Sequence, residues 1–180
     1  MVPKKVLAYL EKNKVAHEII KHRPVFTAYD LAATLKEKMN KVAKTLLIKV
    51  GGKRYIIIVL PAHLKIDFKK LQKILKAEKI ELATEQAIKK ILKTKPGALL
   101  PFGALHKLEM FLDKALFKTE HALFGAGSFT ESLRLKVKDL AKLENATVAD
   151  FGLAAKKKIK KAAKKVAPKI KKAVKKITKK

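Results

Sequence analysis

An α+β fold is predicted by three features of the chain. Helical and strand periodicities mix without a regular β-α-β beat, Gly51-Gly52 separates two β-rich runs as a hairpin turn would, and no internal repeat is present. The expected arrangement is one domain over 1–152 on a mixed sheet flanked by helices, followed over 153–180 by a basic Lys/Ala-rich tail.

The elements follow in order. Pro3 opens a helix to Asn13, with Val6, Leu7 and Leu10 at helical spacing. Val15 to Lys21 reads as a strand and His22-Arg23-Pro24 as a turn. Thr27-Ala28-Tyr29-Asp30 caps a helix running to about Lys38. Lys44–Val50 and Lys53–Leu60 are the hairpin strands, the second ended by Pro61. Asp67–Lys76 reads as a helix, Ile80–Ala83 as a short strand and Glu85–Lys93 as a helix. Pro96-Gly97, Pro101 and Gly103 frame a loop, Lys107 to Leu112 is a strand ending at Asp113, and Gly125-Ala126-Gly127-Ser128 is a second loop. Ser132–Val137 alternates as a strand should, and Val137–Leu143 is a short helix.

Beyond Gly152 the chain is nearly all Lys and Ala. Ile159, Ala163, Val166, Ile170, Ala173 and Ile177 fall on one helical face, and Pro168 is expected to kink or divide that helix. Repulsion among its fourteen lysines predicts a segment that orders on binding.

Charge sets the class of partner. Forty-four Lys+Arg against fifteen Asp+Glu give +29, and with the tail lysines set aside the rest still holds twice as many basic as acidic residues. With 48% hydrophobic residues this is a folding chain, so the field points to a polyanion, nucleic acid before an anionic membrane. The tail's apolar face carries only Ala, Val and Ile, which disfavours the membrane. The absence of cysteine excludes disulfides, a thiolate nucleophile and Cys-type metal sites. No apolar run is long enough to cross a bilayer, and Glu11 and Lys12 interrupt the stretch a signal peptide would need, so a cytoplasmic protein is expected.

Standard catalytic signatures are missing, and His17, His22, His63, His106 and His121 show no metal-ligand spacing, so neither metal nor cofactor is expected. Ser128 is a turn residue before it is a nucleophile, since nothing in the sequence pairs it with a base. Lys44 opens a strongly hydrophobic strand, where its ammonium faces either a cleft or solvent; among 41 lysines, solvent is the ordinary outcome. Gly97 to Gly103 reads equally as a ligand-approaching loop and as a linker turn.

Taken together, His22, Thr27-Ala28, Val42-Ala43-Lys44-Thr45-Leu46-Leu47, Leu60-Pro61-Ala62, Gly97-x-x-x-Pro101-Phe102-Gly103, Asp113, Gly125-Ala126-Gly127-Ser128 and Asp139-Leu140 resemble the YbaK/EbsC family over about Val15 to Asp150. These are free-standing relatives of the editing domain inserted in bacterial prolyl-tRNA synthetases. The resemblance implies a mixed, mostly antiparallel sheet and an aminoacyl-tRNA deacylase acting in trans on mischarged tRNA, without metal or cofactor. It implies Lys44 as the catalytic lysine holding the aminoacylated 3′ end. Gly97, Leu100, Pro101, Phe102 and Gly103 would shape the amino-acid pocket, and His22, Thr27, Thr45, Asp113, Gly127 and Ser128 would line the same cleft. The attacking group would be one of the substrate's own, or water assisted by the tRNA 2′-hydroxyl.

Thr45 and Gly127-Ser128 stand where the alanine-editing branch has Asn and a His-containing motif, which places the chain nearer the branch acting on tRNA(Pro) carrying Cys or another small residue. The segment Lys36 to Lys41 lacks the glycine that usually ends the family's helix. The implied partner is tRNA, with prolyl-tRNA synthetase a second one to consider. The tail, with Lys156, Lys157, Lys158, Lys160, Lys161, Lys164 and Lys165 at its start, would add nonspecific affinity for RNA or for other nucleic acid. The competing reading is a non-catalytic nucleic-acid-binding or regulatory protein on an editing-type fold.

Overall fold

The structure, a computed structural model, describes residues 1–154. The amphipathic face of the tail, the division at Pro168 and the lysines from Lys156 onward lie outside the described residues.

Among the described residues, ten strands and five α-helices build the domain, in mixed and mostly antiparallel pairing. After α1 (Lys4–Lys12) comes β1 (His17–Lys21), and then α2 (Ala28–Thr34), whose Thr27 hydroxyl accepts from the Asp30 N–H. The hairpin forms as expected from β2 (Ala43–Val50) and β3 (Arg54–Pro61), with Gly51 and Gly52 both at positive φ. β4 (Leu64–Ile66) follows a tight turn, and α3 (Phe68–Leu75) is capped by Asp67. β5 (Ile80–Leu82), α4 (Glu85–Leu92), β6 (Glu109–Asp113), β7 (His121–Gly125), β8 (Glu131–Lys136), α5 (Val137–Leu143), β9 (Thr147–Ala149) and β10 (Gly152–Ala154) complete the order.

The pairing divides into three ladders: β5-β2-β3-β6-β9, β1-β8-β7 and β10-β4. One face of the five-stranded ladder carries Ala43, Leu47, Ile57 and Val59 into the main core, which Leu133, Leu135 and Phe124 of the three-stranded ladder close from the other side. The opposite face carries Ile48, Ile56, Ile58 and Leu60 against Leu71 of α3 and Phe151. Antiparallel alternation places these two sets on opposite faces, and both are fully apolar because each face is covered.

Three expectations are corrected. The helix predicted to reach Lys38 stops at Thr34, because Lys36 adopts φ 52° and the Lys36 and Glu37 N–H groups bond back to Ala33 and Ala32. This is a Schellman stop made without the usual glycine, at a cost of roughly 1 kcal/mol. Strands β4, β7, β9 and β10 were not expected; three of them have only three residues, too few for alternation to register. Asp113, expected at a cleft, is instead 1% exposed, does not line the cavity beside β2 and holds the backbone ahead of β10. Its Oδ1 accepts from Ala115 N at 2.9 Å, and its Oδ2 accepts from Phe151 N at 2.9 Å and Gly152 N at 2.6 Å.

Those three backbone N–H groups have one carboxylate between them. Asp113→Ala is expected to leave them unpaired and to lower the unfolding free energy by about 3 kcal/mol. Urea denaturation of the wild type and variant measures it.

Candidate functional site

The cleft arises at the free edge of β2. β3 pairs with β2 along its whole length on one side, whereas β5 pairs only with Ile48–Val50 on the other. At the opposite end of that edge, Val42 bridges to Leu123 of β7. Between these contacts, Ala43 to Leu47 have no strand against this second edge among the described residues. The Leu47 carbonyl accepts from Ala83 N across this edge, so by alternation the main-chain N–H and C=O of Thr45 face the same opening.

A cavity of about 440 Å³ occupies the gap, lined by Ala43–Leu47, by Val25–Tyr29 and Leu31, by Leu82, Ala83 and Ile88, and by Gly97, Leu99, Gly125, Ser128 and Ser132. Two glycines make the approach possible. Gly97 has φ 87° and a Cβ there would sit 2.9 Å from the Phe26 carbonyl oxygen, while a Cβ on Gly125 would run into the carbonyl of Leu99. Phe26, 63% exposed, and Tyr29 stand at the rim, with Phe26 packed on Phe129 at 4.9 Å between ring centroids.

Lys44 lines the cleft, but its ammonium is turned toward the β3–β4 corner, where it donates to the carbonyls of Ala62 and Leu64. Burial, with Lys65 nearby, holds its amine below the ordinary lysine value. The Oγ1 of Thr45 is buried and has no hydrogen-bond partner among the described residues. Thr27 and Ser128 also line the cleft, each with its hydroxyl already used. Thr27 caps α2 and donates to Asp30 at 2.8 Å; the Ser128 Oγ accepts from Thr130 N at 3.2 Å, the turn role its composition predicts.

The Gly97–Gly103 loop divides in function. Gly97 and Leu99 face the cavity, while Phe102 is fully buried edge-on against Tyr9 at 5.9 Å. Leu100 and Pro101 are buried too, and Gly103 is wedged against Leu108, so these residues, expected at the substrate, anchor the loop instead. Gly127 packs on Pro3 and does not line the cavity. His22 stands one step behind the wall, hydrogen-bonded to Ser132. Ser132 was not singled out in the sequence: a lone serine in an alternating strand carries no motif. Phe26 and Tyr29, flanking Thr27-Ala28, offered more signal, as aromatics in a polar turn.

Glu144, at the end of α5, ties the loop to α1: its carboxylate accepts from Ala104 N at 2.9 Å and from the Tyr9 hydroxyl at 3.0 Å. Burial holds its carboxyl above the ordinary value despite these bonds, and burial beside it pushes the Tyr9 phenol up.

A model of the aminoacyl-tRNA editing domain matches residues 22–143. A prolyl-tRNA editing protein of Acetoanaerobium sticklandii is 28% identical over 146 residues, which cover 78% of this chain and 89% of that protein. A proline–tRNA ligase of Bacillus licheniformis is 30% identical over 106 residues, 58% of this chain but only 18% of the ligase. Among solved structures, a candidate trans-editing enzyme for prolyl tRNA synthetase superposes with a TM-score of 0.73 at 20% identity, covering 84% of this chain and 96% of that one.

Glu144 gives the site a pH signature. A carboxyl with a raised folded value binds its proton more tightly folded than unfolded, so stability falls as pH rises from the ordinary value through the raised one. Glu144→Gln, which keeps an acceptor for Ala104, is expected to flatten that fall, read as urea midpoints over about pH 4 to 7.

Proposed function

The chain belongs to the aminoacyl-tRNA editing domain family, and from that premise we propose that it is a trans-editing deacylase of mischarged tRNA(Pro) whose active site is the cleft on the open edge of β2. The observation that carries this reading is convergence. The segments around Lys44-Thr45, Gly97, Gly125 and Ser128 are far apart in the chain, yet all face one cavity within the matched residues.

The chemistry is ester hydrolysis. The attacking oxygen adds to the carbonyl carbon, the bond from that carbon to the ribose oxygen breaks, and the ribose oxygen takes up a proton, leaving free amino acid and tRNA. With water as nucleophile, the substrate's own 2′-hydroxyl serves as its assistant. The protein contributes position and charge stabilisation. The Thr45 N–H, facing the opening without a strand partner, is suited to donate to the developing oxyanion. Lys44 holds the corner after β3 through two carbonyls, and when substrate enters it is the nearest cation on the cleft wall for the aminoacylated 3′ end.

The amino acid is Cys or another small residue. The core-anchored half of the Gly97–Gly103 loop fixes the half that faces the cavity, so the space for a side chain is set by rigid backbone. The tail acts on tRNA rather than on chemistry: fourteen lysines outside the described residues supply phosphate contacts without reading sequence.

A panel of Cys, Ala, Ser and Thr esters on tRNA(Pro) tests the reading, with hydrolysis expected for at least one small residue. Absence of any rate above the uncatalysed one would exclude it. Lys44→Ala is expected to lower kcat/KM by about 10²-fold while leaving most of the tRNA affinity in place. Deleting Lys156 to Lys180 is expected to raise KM, leave kcat nearly unchanged and flatten the salt dependence by about 0.7 to 0.9 per lost phosphate contact. Equal salt slopes for the two proteins would show that the tail does not touch the RNA.

A further inference from the structure

An aminoacyl ester carries an α-ammonium group, and among the described residues the cleft offers it no carboxylate: none of those lining it is Asp or Glu. A buried cation requires acceptors, so neutral oxygens must serve. Of the hydroxyls on the wall, those of Thr27 and Ser128 are engaged in local turns, and Tyr29 stands half-exposed at the rim. Ser132 and Thr45 remain.

The state of Ser132 is set from behind. His22 Nδ1 lies 2.8 Å from the carbonyl oxygen of Arg23, which can only accept, so Nδ1 carries the proton. In the neutral ring Nε2 is therefore an acceptor, and the Ser132 hydroxyl, 2.9 Å away, gives it its proton. His22 is held in place by its own N–H, which donates to the Thr130 carbonyl at 2.9 Å. Ser132 is 3% exposed and fixed in β8 between Ile20 of β1 and Gly125 of β7. With its proton committed to the imidazole, the Oγ of this cavity-lining residue has only lone pairs left to offer.

We propose that Ser132, oriented as an acceptor by His22, receives the α-ammonium of the esterified amino acid and makes the site selective for aminoacyl over α-hydroxyacyl esters. This rests on the editing reading above. Ser132 touches the substrate; His22 is a positioning residue that acts through it. The Thr45 Oγ1, unpartnered among the described residues, is a second oxygen on the same cavity wall. The Lys44 ammonium, bonded to the carbonyls of Ala62 and Leu64, is drawn away from the incoming cation.

The experiment compares two esters of one tRNA: the aminoacyl-tRNA cleaved fastest in the panel, and the same molecule after nitrous-acid deamination to its α-hydroxyacyl form. The wild type is expected to prefer the aminoacyl ester. Ser132→Ala is expected to reduce the ratio of the two kcat/KM values by about tenfold, the loss of one charged hydrogen bond. His22→Ala, which frees the serine proton, is expected to move the ratio in the same direction, with circular dichroism showing that both variants fold. An equal loss on both esters, an unchanged ratio, or an acyl group trapped on Ser132 and seen by mass spectrometry would overturn the proposal. A wild type that hydrolyses neither ester would overturn the editing reading itself, and this inference with it.

Discussion

The incomplete pairing of β2 is the constraint on which the molecule depends. One edge of this strand is fully used by β3, and the other is divided between β5 at its C-terminal end and the Val42 bridge to β7 at its start. An unpaired edge normally costs backbone hydrogen bonds or invites another chain. Here the divided edge joins the two larger ladders and leaves a five-residue gap in which the main-chain N–H and C=O of Thr45 face a cavity. The ladders cannot close on one another without filling it. The structure keeps it open by covering both faces of β2 with apolar core, so the strand is held by its side chains where its backbone is not.

The scarce acidic residues are spent on that same task. In a chain of +29, the buried polar or charged side chains are Asp113 and Ser132 among the described residues. Asp113 gathers three N–H groups and fixes the segment that leads into β10, while Glu144, half-buried, fixes the start of the turn after Gly103. Both carboxyl groups accept from backbone donors rather than from lysines, so their oxygens are satisfied without a salt bridge. The exposed pairs, such as Lys70 with Asp150 and Lys136 with Glu120, add little by comparison. The lysines that remain give the domain its attraction for a polyanion, and they leave the cleft wall almost uncharged.

Much of this was legible in the residues. Gly51-Gly52 fixed the hairpin, Thr27 marked a helix start with a side chain that does cap it, and Lys44, Thr45, Gly97 and Ser128 do meet at one cavity. What escaped has physical reasons. Strands of three residues carry no period, and Lys36 ends its helix in a conformation that its side chain disfavours. Asp113 and Phe102 stand in strings that resemble a functional motif, yet a motif does not separate residues that touch a ligand from residues that hold those residues still. Ser132 was invisible for the opposite reason. Its role depends on a histidine 110 positions away, and only the register of β1 on β8 brings the two together.

That division between touching and holding bears on how selective such a site can be. The cavity wall at Gly97 and Leu99 is backbone, fixed by Leu100 and Phe102 in the main core, so it yields about as little as the core does. A wall of this kind rejects a side chain that is too large, because overpacking costs about 1–3 kcal/mol for each added group that cannot be accommodated. It is no sharper among side chains that fit, where one methylene more or less is worth only about 1–3 kcal/mol. Excluded volume therefore sets an upper limit on size but cannot by itself separate Ala, Ser and Cys. Selection among them has to come from the polar atoms on the wall, and because the α-ammonium assigned to Ser132 is common to all three, the Thr45 hydroxyl, unpartnered among the described residues, is the group left to read the side chain.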